Sequence, residues 1–79
     1  DRKLAVGYLN AAAEDEDPRV YLSVLRTVAE AQGMAKVAKA AGISRESLYR
    51  ALSPAGNPRL SILHAILRAA GLRMTVVSN

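Results

Sequence analysis

The sequence predicts an all-α bundle of about five helices, forming a single domain over residues 1–79. Three observations lead there. Hydrophobic residues make up 51% of the chain, but the supply is Ala, Leu and Val, with three Tyr and no Phe or Trp. That suits thin, closely spaced helices better than a sheet sandwich. Apolar residues recur at helical spacing along most of the length. Helix-start signals, an Asx residue followed by proline, stand at Asp17-Pro18 and again at Asn57-Pro58.

The elements follow in order. The first helix carries Leu4, Tyr8, Leu9 and Ala12 on its inner face and ends in the acidic run Glu14-Asp15-Glu16-Asp17. Asp17 caps the second, with Pro18 at its first position; Val20, Tyr21, Val24, Leu25 and Val28 face inward until Gln32-Gly33. A short third helix runs from Ala35 to Ala41 and is stopped by Gly42. Ser44 caps a fourth that reaches Leu52, and Ser53-Pro54-Ala55-Gly56-Asn57 makes a loop. Asn57 and Pro58 then start a fifth, with Leu60, Leu63, Ile66, Leu67 and Ala70 inward, before Gly71. The tail Leu72-Arg73-Met74-Thr75-Val76-Val77 alternates and ends β-branched, which makes it a candidate short C-terminal β-strand. A lone strand needs a partner: the same strand of a second copy, or an edge of another protein.

Size and composition exclude several classes. A chain this short buries only about 60% of its unfolded surface, and with no cysteine it has no disulfide, thiolate metal site or thiol nucleophile. Oligomerisation is the remaining way to add buried area, so a homodimer is expected. No apolar run approaches the roughly 18–20 residues of a membrane span, and no signal-peptide pattern opens the chain. A small, soluble, cytoplasmic domain is expected, and the start at Asp1 without methionine suggests a short preceding segment. One His and no Cys leave no nucleophile–base pair, so no enzyme activity, metal or cofactor is expected; His64 belongs on a helix flank. Met34 and Met74 read as apolar filler.

Charge is divided along the chain. The formal net charge is +4, with residues 1–32 holding Arg2, Lys3, Arg19 and Arg26 against Asp1, Glu14, Asp15, Glu16, Asp17 and Glu30. Residues 33–79 hold Lys36, Lys39, Arg45, Arg50, Arg59, Arg68 and Arg73 against Glu46 alone. Such a division suggests two partners or one oriented docking event, with the basic part facing a polyanion; the alternative is a solvated surface whose charges serve only solubility.

The stretch from Met34 to Ser53 carries the informative spacing. Ala38 is small where a second helix would cross, Gly42 tolerates the positive φ of a tight turn, and Val37, Ala41, Ile43, Leu48 and Ala51 would hold two helices together. That is helix-turn-helix spacing, and it leaves Ser44, Arg45, Glu46, Tyr49 and Arg50 pointing outward, where a recognition helix reads base edges in double-stranded DNA. Arg45, at the start of that helix, suits guanine O6 and N7; Arg50 suits a base or a phosphate equally. Ser44 is first a cap. Glu46 either accepts from a cytosine amine or pairs with Arg50 four residues on. Tyr49 either touches a thymine methyl or a phosphate, or packs against the loop. Lys36, Lys39, Arg59 and the amides following Asn57 are phosphate candidates. The acidic run at 14–17 is either a solvated loop or a surface for a basic partner.

The segments Tyr8-Leu9-Asn10-Ala11-Ala12, Asp17-Pro18, Ala31-Gln32-Gly33-Met34, Gly42 through Ser53, Gly56-Asn57-Pro58 and Leu67-Arg68-Ala69-Ala70-Gly71-Leu72 resemble the addiction module antidote proteins. These are HigA-type antitoxins with a lambda-repressor-like, Cro-like helix-turn-helix domain. The resemblance covers nearly the whole chain and is most distinctive from Gly42 to Pro58. It implies a DNA-binding antitoxin that neutralises a RelE/ParE-like (HigB-type) toxin and represses its own operon. Ala35-Lys36 departs from the pattern, standing where relatives often carry a hydroxyl residue followed by Gln. That loss of a side-chain cap costs about 0.5–2 kcal/mol of helix stability. A phage-type or other repressor without a toxin fits the stretch from 34 to 58 equally well, and a protein-interaction module without DNA binding is a third reading. Single-strand RNA recognition lacks its exposed aromatic platform here.

Overall fold

Five helices and no strand make up the computed structural model, which describes residues 1–79: α1 (Arg2–Ala13), α2 (Pro18–Gln32), α3 (Met34–Ala41), α4 (Arg45–Ala51) and α5 (Leu60–Ala69). The caps that define three of the starts are side-chain oxygens. Lys3 N donates to Asp1 Oδ1 at 2.9 Å, Arg19 N to Asp17 Oδ1 at 2.9 Å, and Ser47 N to Ser44 Oγ at 3.0 Å. Each satisfies an amide that has no partner within its own helix. α3 starts one residue earlier than the spacing predicts, at Met34, from a Gly33 that offers no side-chain cap. Ala35 is thus the second residue of the helix and not its cap position, which corrects the expectation that a cap is lost there.

α1 packs on α2, and α3 sits at the centre against α2, α4 and α5. Leu25, Val37, Leu48, Leu52, Ile66 and Leu67 are fully buried and form the middle of the core. Gln32 ties the far ends of two helices together, its Nε2 donating to the Ala70 carbonyl at 3.0 Å. α5 closes on a left-handed Gly71 (φ 82°), with Gly71 N donating to Arg68 O and Leu72 N to Leu67 O. Half-buried Leu72 then folds back onto the core.

Several expectations are corrected, among them Val20, expected inward on α2 but exposed in its first turn, and Met74, expected as apolar filler but exposed in the tail. The tail is not a strand: residues after Leu72 make no backbone hydrogen bond, and Val76 and Val77 are 94% and 82% exposed. Alternation supplies a strand's faces but not the ladder partner that a strand requires. Asn57 does not cap α5, which starts at Leu60 with Arg59 in extended backbone (φ −60°, ψ 153°) as its cap residue. Gly56 lies directly against the Ala51 carbonyl at the end of α4, and the chain has no helical structure from Gly56 to Arg59 before α5 begins. The connection between helices overrides the local start signal. Leu60, placed outside the core by that late start, is exposed rather than inward. Leu4 and Tyr8 are also exposed, because α2 is the principal neighbour of α1 and the packing covers only the stripe Ala5, Leu9 and Ala12.

Candidate nucleic-acid interface

The candidate interface lies on the α3–α4 hairpin. Gly42 closes α3 in the left-handed region (φ 75°, ψ 27°); its N–H donates to Lys39 O and that of Ile43 to Ala38 O, both at 3.1 Å. This double bond pattern ends the helix and reverses the chain within Gly42-Ile43-Ser44. Ser44 starts α4 at once: besides accepting from Ser47 N, its hydroxyl donates to Ser47 Oγ at 2.9 Å. Leu48 and, just beyond the helix, Leu52 are buried, which fixes the rotation of α4 about its axis. Ser44, Arg45, Glu46 and Arg50 are left in solvent, all on the side away from the core.

Of the alternatives the sequence leaves open, the structure separates several. Glu46 and Arg50 do not pair, since the two ion pairs of the chain are Arg19–Asp17 and Arg26–Glu30. Both are therefore unengaged on the surface of α4. Ser44 acts as a cap. Tyr49 is half-buried against the core, and its ring takes a guanidinium from two elements: Arg26 Cζ of α2 lies 5.6 Å from the ring centroid and Arg45 Cζ lies 5.9 Å. Both lie within range of the attraction between a cation and an aromatic face.

Lys36 and Lys39 are exposed on α3, Lys39 in its last turn. Arg59 is exposed at the start of α5, where no side chain caps the first amides. Asn57 is exposed in the preceding loop, three residues before the helix.

Arg26 is the residue that sequence reasoning missed. At i,i+4 from Glu30 it reads as an ordinary surface pair, and that contact, at 3.6 Å, does exist. Its place beside Tyr49 depends on α2 passing α4, which no local pattern records. Arg19, by contrast, is spent within α2. It grips Asp17 with Nε at 3.0 Å from both carboxylate oxygens and Nη2 at 2.7 Å from Oδ2. These bonds hold the Asp17 carboxyl below its ordinary value of 3.8 and push the Arg19 guanidinium up. Glu14, Asp15 and Glu16 carry no such partner.

No group of three or more His, Cys, Asp or Glu converges as metal ligands, and no helix is long and apolar enough to cross a membrane. His64 lies exposed on α5.

Comparison with known families matches residues 1–78 to the family described as "Probable addiction module antidote protein". The chain belongs to the addiction module antidote family. The match runs through all of α1 to α5. A relative from Haemophilus influenzae (strain ATCC 51907 / DSM 11121 / KW20 / Rd), itself an uncharacterized protein, is 39% identical over 69 residues. The alignment covers 87% of this chain and 71% of that one. No solved structure matches the chain.

Proposed function

We propose that this antidote-family chain is the DNA-binding antitoxin of a type II toxin–antitoxin module. Residues 34–53 act as a helix-turn-helix within a single lambda-repressor-like domain. α4 enters the major groove of operator DNA, and the protein represses its own operon. By direct protein contact it neutralises a RelE/ParE-like, HigB-type toxin in the cytoplasm, without enzymatic activity or cofactor. One recognition helix of seven residues reads only a few base pairs. The working unit is therefore a homodimer on two half-sites about 34–36 Å apart.

The observation that carries the reading is the rotation of α4. Leu48 is buried and Arg45, Glu46 and Arg50 stand free of carboxylate or cap partners, on a helix that follows a tight left-handed turn. Family membership supports the toxin half of the reading. In the complex Arg45 reads a guanine through O6 and N7, held in place by the Tyr49 ring. Arg50 takes a base or a phosphate, and Glu46 accepts from a cytosine amine. Lys36, Lys39, Arg59 and the first amides of α5 bind phosphates.

Fluorescence anisotropy on the DNA upstream of its own gene tests this, with a random duplex as control and a salt titration. Binding that prefers the promoter, weakens steeply with salt and loses its preference in Arg45→Ala supports the reading. Equal, weak binding to both duplexes, unchanged by the substitution, would leave the hairpin as scaffold only.

A further inference from the structure

α1 carries a second apolar stripe that the core does not use. Leu4, Tyr8 and Ala11 follow one another at i, i+4 and i+7, one position out of phase with the buried Ala5, Leu9 and Ala12. Leu4 is 57% exposed and Tyr8 61%. Beside them Val20, Val24 and Thr27 of α2 form the opposite wall, and the shallow groove between holds two adjoining hollows of about 460 and 210 Å³ that share Tyr8 and Thr27. Asp15 lines one end and Asp1 the other. Glu14 and Glu16 flank Asp15, and none of these carboxylates forms an ion pair.

We infer that this α1–α2 groove is the toxin-docking surface, and that its occupant is an amphipathic helix of the toxin with an apolar stripe and Lys or Arg at the end that meets Asp15. The inference rests on the antitoxin reading above and adds the place and the chemistry of contact. Length and charge select the occupant. From Leu4 to Asp15 the groove follows eleven residue steps of α1 and its end, about 16 Å, which matches three turns of a helix. Apolar walls with the acidic run Glu14-Asp15-Glu16 at one end favour a cationic partner segment there. At the other end the Asp1 carboxylate caps α1, and Arg2 and Lys3 stand beside it.

The test uses the full chain and, as probe, the purified product of the gene adjoining its own, measured by isothermal titration calorimetry. Tyr8→Ser removes the exposed ring at the middle of the groove, and Asp15→Asn removes charge while keeping an acceptor for the Asp17 amide, which now donates to Asp15 Oδ1 at 2.8 Å. Circular dichroism verifies that each variant is folded, and Tyr8→Phe serves in place of loss by unfolding as the variant that keeps the apolar contact. The expected result is at least a tenfold loss of affinity in Tyr8→Ser and near-wild-type affinity in Tyr8→Phe. Asp15→Asn should lose a few-fold at low salt, a difference that vanishes at high salt, and all three variants should keep wild-type affinity for promoter DNA. Wild-type affinity for the probe in Tyr8→Ser overturns the docking site while leaving the antitoxin reading intact. A wild-type chain that does not bind the probe overturns the antitoxin reading itself. A wild-type dimer that Tyr8→Ser converts to monomer, seen by analytical ultracentrifugation, overturns the inference by assigning the groove to the second copy.

Discussion

Two glycines near α4 are required for different reasons, and substituting each by alanine separates them. Gly42 lies at φ 75°, and a Cβ built there meets nothing within 4 Å. The only cost of Gly42→Ala is the left-handed backbone, about 1–2 kcal/mol, partly offset by about 0.4–1 kcal/mol from a less flexible unfolded chain. A net loss of about 1 kcal/mol lowers the Tm of a domain this size by about 4–8 °C. Gly42→Asn should lose less, since Asn tolerates that region better. Gly56 does not have a positive φ, so alanine can adopt its backbone. A Cβ there would collide with the Ala51 carbonyl oxygen and lie 2.8 Å from that of Arg50. Carbonyls at the end of a helix cannot rotate away as a side chain can. The loop must lift off α4, at the upper end of or beyond the about 1–3 kcal/mol of ordinary overpacking. Thermal melts followed by circular dichroism should rank the chains wild type, Gly42→Asn, Gly42→Ala, Gly56→Ala, from most to least stable. A Gly56→Ala chain melting at or above Gly42→Ala would refute the assignment of close backbone approach at 56 and conformation alone at 42.

Other predictions follow from the caps and the stacked arginines. Ser44→Ala should cost about 0.5–2 kcal/mol in denaturant unfolding while Ser44→Asp retains most of the stability, because the lost acceptor is the one that serves Ser47 N. Tyr49→Leu frees the Arg45 guanidinium from the ring it lies beside and should reduce promoter-over-random preference. Tyr49→Phe keeps the aromatic face and should retain that preference in the same anisotropy assay. Asp17 has a folded-state carboxyl held below its ordinary value of 3.8 by Arg19, so its contribution is present above that value and lost as pH falls through the depressed one. Asp17→Asn should accordingly melt below wild type at pH 7, by a margin that narrows in acid as the wild-type carboxyl is protonated, and that narrows in high salt because the pair is exposed.

What the sequence made legible was whatever a few neighbouring residues decide. Asp17 before Pro18 capped a helix as its chemistry requires, Gly42 supplied the left-handed turn, and Ser44 satisfied the Ser47 amide in the first turn of α4. The buried face of α4 followed from Leu48, and with it the outward arginines. The failures lie where a neighbour distant in sequence decides. Asn57 and Pro58 carry as good a start signal as Asp17 and Pro18. Yet the second signal follows Gly56, which is fastened beneath α4, so α5 begins at Leu60. The tail from Leu72 alternates like a strand with no second strand beside it.

α1 shows the same dependence from the other side. Its apolar residues occupy two adjacent stripes, and periodicity merges them into one inner face that includes Leu4 and Tyr8. Which stripe is covered depends on how many helices lie against α1, and here α2 is the principal neighbour. A helix with apolar residues on more of its surface than one neighbour can cover retains an exposed apolar face. With free carboxylates at the end of that face and free cations on α4, the charge division read from the sequence becomes a division between surfaces. α1 and α2 present the apolar and acidic one, α3 and α4 the cationic one. Those surfaces belong to different helix pairs, so a protein on the first does not need the positions a polyanion would occupy on the second.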